Sequence, residues 1–312
     1  MNKPNYPYEP IGSISTLARV LGLETQKLQD LYDNSDDFFF IAQKELKSDG
    51  SFRTTYDVKE ELKSVHKKIA KELFKKVSYP EYLQGGIARR DYIGNANIHI
   101  DSKCIITEDM KNFFPSISKE IVINVWKNVF HFPPDVSEIL AGLITYKGYL
   151  VQGCVASGYI CNLVLWNREA KLVVKLKNKG FTYSRYVDDI SVSSKRIFTT
   201  KEKTEIIKGI HTMVKSIGVK LNRKKHEIMP RNNRQKIHRL NVNSNQVSMP
   251  KSEREKIKSA VYQCEQLYIT EPSSEEYKSL FNSTQGRVNL LSRLHKSQGD
   301  KLKLRLMKIK PH

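Results

Sequence analysis

Apolar positions recur at helical spacings from the start of the chain. Leu17, Val20, Leu21, Leu28 and Leu31 predict helices within residues 11–40, with Ser13 as a cap, Thr16 three places on, and a break at Leu23-Glu24-Thr25. The period then changes. Phe38-Phe39-Phe40-Ile41 reads as a strand, the polar run Lys47–Arg53 around Asp49-Gly50 as a hairpin tip, and Arg53-Thr54-Thr55-Tyr56 as its return. Lys59 to Lys76 carries Leu62, Val65, Ile69, Leu73 and Phe74 on one face of an amphipathic helix, stopped by Tyr79-Pro80.

Cys104 to Asp109 reads as a buried strand ending in a carboxylate, followed by a helix from Lys119 to about Phe130. A second helix is expected to open at Leu150–Gly158 and run through Leu163 to Leu172. Phe181, Tyr183, Ile190 and Val192 mark two short strands separated by Asp188-Asp189. Another helix starts at Thr200, with Ile206, Ile207, Ile210, Met213 and Val214 on its apolar face, and breaks at Gly218. Strand signals return at Val219–Asn222, at Ile237–Val242 and weakly at Val247, and beyond Lys251 only helix formers follow. There is no internal repeat.

Composition narrows the partners. The 312 residues are 39% hydrophobic and 28% charged, enough for a core divided over two or three lobes. Lys+Arg is 53 against Asp+Glu 33, a formal net charge of +20 that suits a polyanion. No apolar run approaches a membrane span, and Met1–Pro10 lacks the pattern of a signal peptide. Cys104, Cys154, Cys161 and Cys264 show neither CxxC pairing nor histidine partners, so reduced thiols and a cytoplasmic setting are expected.

Several residues could carry chemistry. The Asp188-Asp189 pair is either a solvated turn or a holder of divalent cations, which take hard oxygen ligands. Asp109 ends a strand beside the bulky Phe113-Phe114, whereas strand alternation turns Glu108 to the other face. Lys47 and Arg53 flank a hairpin that could fold over a triphosphate or simply be solvated. The Gly85-Gly86-Ile87-Ala88-Arg89-Arg90 loop suits a phosphate contact or an ordinary surface, since glycine lets backbone approach closely. Gly153, after Gln152, leaves room for a flat ligand. His99 reads as a packed histidine.

Taken together, Tyr186-Val187-Asp188-Asp189, Asp109-x-x-x-Phe113-Phe114-Pro115-Ser116 and Gln152-Gly153-x-x-x-Ser157 resemble, in order and separation, the bacterial retron-type reverse transcriptases. The resemblance extends over nearly the whole chain. It implies an α+β, right-hand polymerase: an N-terminal helical segment at 1–40, fingers at 41–98, an antiparallel-sheet palm at 99–248 with finger-contributed segments, and a helical thumb at 249–312. It also implies RNA-templated DNA synthesis from dNTPs with two Mg²⁺ ions, or Mn²⁺ in their place. In that frame Asp109, Asp188 and Asp189 are catalytic, and with the Met110 backbone carbonyl they hold metal. Arg53, Lys47, Phe114, Gln152 and Gly153 bind the nucleotide, Phe114 as the gate against a ribose 2′-hydroxyl. Lys225 matches a proton donor for the pyrophosphate. Arg89, Arg90, Arg287, Arg293 and Lys296 are placed against nucleic acid.

The chain departs from the family at two places. Ser157-Gly158 stands where Ser-Pro is usual, and the Val-Thr-Gly stretch that retron enzymes carry near Ile237-His238-Arg239 is absent, while Asn95-Ala96-Asn97-Ile98-His99 keeps the retron-like pattern. These departures favour a non-retron member associated with phage defence, copying a dedicated noncoding RNA. Template-independent or protein-primed synthesis, and an inert RNA-binding scaffold, are the alternatives. A defence-system protein or a second copy of the chain is the expected partner, and a membrane is not.

Overall fold

The structure, a computed structural model, describes residues 2–46, 50 and 52–311. Lys47 and most of the expected hairpin tip lie outside the described residues. The chain divides into two compact units, Met1–Asn95 with Lys103–Ile228, and Ala96–Ser102 with Met229–His312.

In the first unit, Ile14–Leu21 (α1) starts where Ser13 Oγ accepts the Thr16 N–H at 3.2 Å. It ends at Gly22, whose φ of 62° is the left-handed helix stop. The expected break therefore falls in place, and Thr25–Asp33 (α2) follows. Phe39–Leu46 (β1) and Phe52–Val58 (β2) form the antiparallel hairpin, with an irregular register between Ile41 and Gln43. Glu60–Glu72 (α3) buries Leu62, Val65 and Ile69, and Phe74–Lys76 tightens into a 3-10 turn. A short helix, Tyr92–Asn97 (α4), precedes Cys104–Lys111 (β3), which runs two residues past Asp109.

Lys119–Val129 (α5) matches its predicted span. Pro134–Ile144 (α6) is not announced by the apolar pattern, because it is buried on nearly every side and so has little periodicity; Pro134 at its first turn is the start signal. Thr145–Tyr146 (β4) and Tyr149–Leu150 (β5) make a minimal hairpin. The helix expected to continue from Leu150 to Leu172 is instead a loop followed by Ser157–Leu163 (α7) and Arg168–Asn178 (α8). Trp126 anchors the core here. It is fully buried, with ring centroids 5.0 Å from Phe74 and 4.5 Å from Phe130, and truncating such a residue to alanine costs about 3–5 kcal/mol.

Thr182–Tyr186 (β6) and Asp189–Ser194 (β7) are joined by the two-residue turn Val187-Asp188. Thr200–Lys215 (α9) begins in a capping box between Thr199 and Glu202. Lys220–Leu221 (β8) and Glu227–Pro230 (β9) complete a five-stranded sheet of order β6-β7-β3-β8 in which β9 also pairs β3. The β6–β7, β7–β3 and β3–β8 ladders are antiparallel.

In the second unit, the single strand expected over Ile237–Val242 is two short ones. Lys236–Ile237 (β10) and Leu240–Asn241 (β11) pair around His238-Arg239, both with positive φ. Lys251–Thr270 (α10), Glu275–Leu294 (α11) and Lys296–Met307 (α12) pack around Val261, Cys264, Tyr277, Phe281, Val288 and Leu291. In α12, Leu302 and Leu306 are buried while Leu304 and Met307 are exposed. His99 is fully buried, as expected of a packed histidine. All four cysteines are buried free thiols. Among the described residues no helix is long and apolar enough to cross a membrane.

Candidate active site

The carboxylates come together because β3 and β7 are neighbours in the sheet. Asp109 lies directly opposite Asp189 in the β3–β7 register, and Asp188 occupies the turn that leads into β7. The Asp188 carbonyl accepts the Met110 N–H at 3.0 Å, tying the turn to β3. Met110 itself is buried and pairs with Leu221 of β8.

The local electrostatics suit a cation. Burial, followed by the charges of Asp189 and Asp109, pushes the Asp188 carboxyl up to about 6. Lys225, from the 3-10 turn after β8, places Nζ 2.6 Å from Asp109 Oδ2 and offsets part of that crowding. Among the described residues no three His, Cys, Asp or Glu side chains form a ready-made metal cage. Mg²⁺ does not need one, because it takes one or two carboxylates together with substrate phosphates and water. Hard oxygen donors that repel one another in a partly buried setting fit such an ion.

Glu108 points away from this group, as alternation requires, and it is not idle. Its carboxyl is 2.7 Å from His226 Nδ1, and burial raises it while His226 opposes that shift. Adjacent residues Lys225 and His226 thus hold adjacent residues of β3.

Three of the nucleotide-binding candidates, Arg53, Gln152 and Gly153, come together from sequence-distant pieces. The Tyr56 N–H donates to the Gln152 carbonyl at 2.7 Å, and Arg53 Nε donates to Gln152 Oε1 at 3.2 Å. Gly153 has φ 116°, and a Cβ there would lie 2.3 Å from the Tyr56 carbonyl oxygen, so only glycine allows this approach. The hairpin's return strand and the Gln152-Gly153 loop are therefore one assembly. Phe114 is half-buried at the start of the Phe114–Ser116 turn, edge-on to the buried Phe113 with centroids 6.1 Å apart.

The basic candidates divide. Arg89 is exposed with φ 65°. Arg90 turns inward and donates to the carbonyls of Tyr79, Pro80 and Leu83, and burial lowers its pKa. In the second unit Arg287, Arg293 and Lys296 are exposed, with Arg287 also donating to Ser283 Oγ at 3.3 Å. Sequence reasoning missed Arg185 and Glu169, whose side chains are 0% and 1% exposed. One reads as a strand cation and the other as a helix-surface acid, and no periodicity distinguishes a buried ion pair from two solvated charges.

The family described as reverse transcriptase (RNA-dependent DNA polymerase) matches residues 45–258. The chain belongs to that family: it is an RNA-directed DNA polymerase that acts on an RNA template and requires a divalent metal. Among its relatives, the retron Se72 reverse transcriptase of Salmonella heidelberg (strain 579083-10) is 35% identical over 314 residues, covering 100% of this chain and 83% of the relative. The retron Ec48 reverse transcriptase of Escherichia coli is 28% identical over 97% of this chain and 77% of its own length. A solved telomerase from Candida albicans aligns over 95% of this chain and 63% of its own, with 11% identity and a TM-score of 0.45. Family membership and the antiparallel sheet carrying the aspartates together give the α+β, right-hand polymerase fold.

Proposed function

We propose that this chain is the reverse transcriptase of a retron-type system, copying a dedicated noncoding RNA into DNA in anti-phage defence. The observation that carries the reading is 35% identity to a retron reverse transcriptase across the whole chain. The departures at Ser157-Gly158 and Ile237-His238-Arg239 weigh toward a non-retron defence enzyme, but they are confined to two short stretches.

In this reading residues 1–40 are an N-terminal segment, 41–98 the fingers, 99–248 the palm and 249–312 the thumb. Asp109 and Asp188 bind Mg²⁺ or Mn²⁺ with the Met110 carbonyl, and Asp189 supports them. Bound metal supplies activation of the primer 3′-hydroxyl and charge neutralisation on the triphosphate. Arg53 neutralises phosphate charge beside Gln152 and Gly153, and Lys47, outside the described residues, keeps the same role on the sequence alone. Phe114 blocks a 2′-hydroxyl, and Lys225 donates a proton to the departing pyrophosphate. Of the loop cations, exposed Arg89 suits a backbone contact, whereas Arg90 holds the loop. The buried reduced thiols support a cytoplasmic setting.

The test is to sequence nucleic acid that co-purifies with the chain, then supply labelled dNTPs and Mg²⁺, with RNase, single-dNTP and Asp188→Ala controls. One dominant RNA is expected to co-purify, and DNA complementary to part of it is expected from wild type only. The alanine variant should still retain the RNA, because binding comes from distributed charge. Synthesis that survives RNase would support untemplated or protein-primed addition, and bound RNA without any synthesis would support a scaffold.

A further inference from the structure

Val187, the first residue of the aspartate turn, has φ 58°, a conformation that a β-branched side chain rarely adopts. Two-residue hairpin turns need positive φ at that position and usually place glycine or asparagine there. Something must hold the strained residue in place.

The structure puts a buried arginine there. Arg185 Nη1 donates to the Val187 carbonyl at 2.9 Å and to the Cys161 carbonyl at 3.0 Å. Nη2 donates to the Asn162 carbonyl at 3.3 Å and to Glu169 Oε2 at 2.8 Å, and Nε donates to Glu169 Oε1 at 2.6 Å. A guanidinium has five N–H donors, and all five are used. Tyr183 Oη adds a bond to Glu169 Oε1 at 2.7 Å, fixing the carboxylate that fixes the arginine.

The bond to Val187 reaches the aspartate through the backbone. The Val187 carbonyl shares a planar peptide with the Asp188 nitrogen, so gripping that oxygen sets the plane on one side of the Asp188 Cα. Met110 N–H holds the Asp188 carbonyl, which sets the plane on the other side. Gly85 closes the space above, since a Cβ there would lie 2.5 Å from Val187 Cγ2. A buried ion pair of this kind is poor at adding stability and well suited to specifying one geometry. Lysine could keep the charge but not the five-way fork.

We infer that Arg185 and Glu169 are positioning residues of the polymerase, holding the Val187-Asp188 peptide so that Asp188 is preset for metal. The inference rests on the polymerase reading above. Its test uses Arg185→Lys and Glu169→Gln, each with and without Val187→Gly, because glycine adopts the positive φ without being held. The full chain is assayed on poly(rA)/oligo(dT), and Mn²⁺ binding is followed separately by electron paramagnetic resonance.

Arg185→Lys should lower kcat by about 100-fold while KM for dTTP and duplex affinity stay within about threefold. Mn²⁺ affinity should fall by about tenfold. Adding Val187→Gly should recover about tenfold in kcat, the equivalent of the strain that no longer needs holding. Glu169→Gln should follow the same pattern more mildly, and it stands in if the lysine variant does not fold. A folded variant with wild-type kcat and Mn²⁺ affinity would overturn the inference. So would a lowered melting temperature with kcat per folded molecule unchanged, or a deficit that glycine does not recover. A wild-type chain inactive on every template would sink the polymerase reading instead and leave the Mn²⁺ comparison standing.

Discussion

Lys225 and Asp109, 116 residues apart in sequence, form an ion pair of 2.6 Å at the edge of the carboxylate group. The lysine side chain is 60% exposed while the aspartate side chain is 6% exposed, so the cation reaches in from solvent to a fixed partner. In the proposed assignment this is the place of a proton donor, and the same Asp109 oxygen would be shared with metal.

Lys225→Ala is expected to lower kcat by about 100-fold, the lower end of what a positioned general acid contributes. Mn²⁺ binding in the absence of substrate should tighten, because a competing cation has been removed. Single-turnover extension and metal titration measure the two separately. Unchanged kcat with tighter metal binding would leave Lys225 as a counter-charge only.

Phe114 is expected to set the sugar preference. Its ring is half-buried and packs edge-on against Phe113, which restrains it. Phe114→Ala should raise ribonucleotide incorporation relative to deoxyribonucleotide by about tenfold or more, since a steric clash of about 1–3 kcal/mol is relieved. Paired incorporation efficiencies for each dNTP and rNTP test it, and unchanged discrimination would place the gate elsewhere.

The second unit should contribute nucleic-acid affinity without sequence preference. Replacing Arg287, Arg293 and Lys296 together by glutamine should shorten DNA products, while single-nucleotide addition persists at high enzyme concentration. The slope of log affinity against log salt should become shallower by roughly 0.9 for each phosphate of a B-form duplex that is no longer neutralised. If slope and product length stay as in wild type, these cations are solvated charges that keep the unit soluble.

Acid should destabilise both units through buried histidines. His66 Nε2 is 2.7 Å from the Leu143 carbonyl oxygen, and burial lowers its pKa from 6.5; burial, with His238 adding to it, lowers His99 to about 3. A histidine whose folded pKa is depressed takes up its proton only on unfolding. Its stabilisation is complete above pH 6.5 and is lost as pH falls from 6.5 toward the folded value, which for His99 is about 3. Each should contribute a slope of about 1.4 kcal/mol per pH unit inside that window. Denaturant unfolding between pH 8 and 5 measures the sum, which the raised Asp188 carboxyl opposes below about pH 6, and His99→Gln should make the slope shallower. A profile that His99→Gln leaves unchanged would contradict the assignment.

Much of this is legible in the chain because it is written in local rules. The Gly22 stop, the hairpin of residues 39–58 and the strand alternation that separates Asp109 from Glu108 follow from turn chemistry and side-chain period. Arg53 and Gln152 are nominated as nucleotide ligands only through the family resemblance, and their 3.2 Å hydrogen bond depends on tertiary pairing that no local pattern encodes. The break between α7 and α8 is hidden because apolar residues continue through it. Arg185 and Glu169 are invisible for a different reason. Charged residues are assigned to solvent by default, and only the fold reveals the few whose donors and acceptors all close on one another.

The four buried thiols give this chain a built-in reporter of motion. Burial raises all four pKa values, Cys154 to about 12, so native molecules should be nearly inert to alkylating reagents at neutral pH. Three of them belong to the first unit and Cys264 alone to the second. Peptide-resolved alkylation therefore yields two opening clocks from one unmodified protein. Ticking together, they would mark a single cooperative transition; ticking apart, they would mark units that breathe on their own schedules, with template and dNTP free to slow one and not the other.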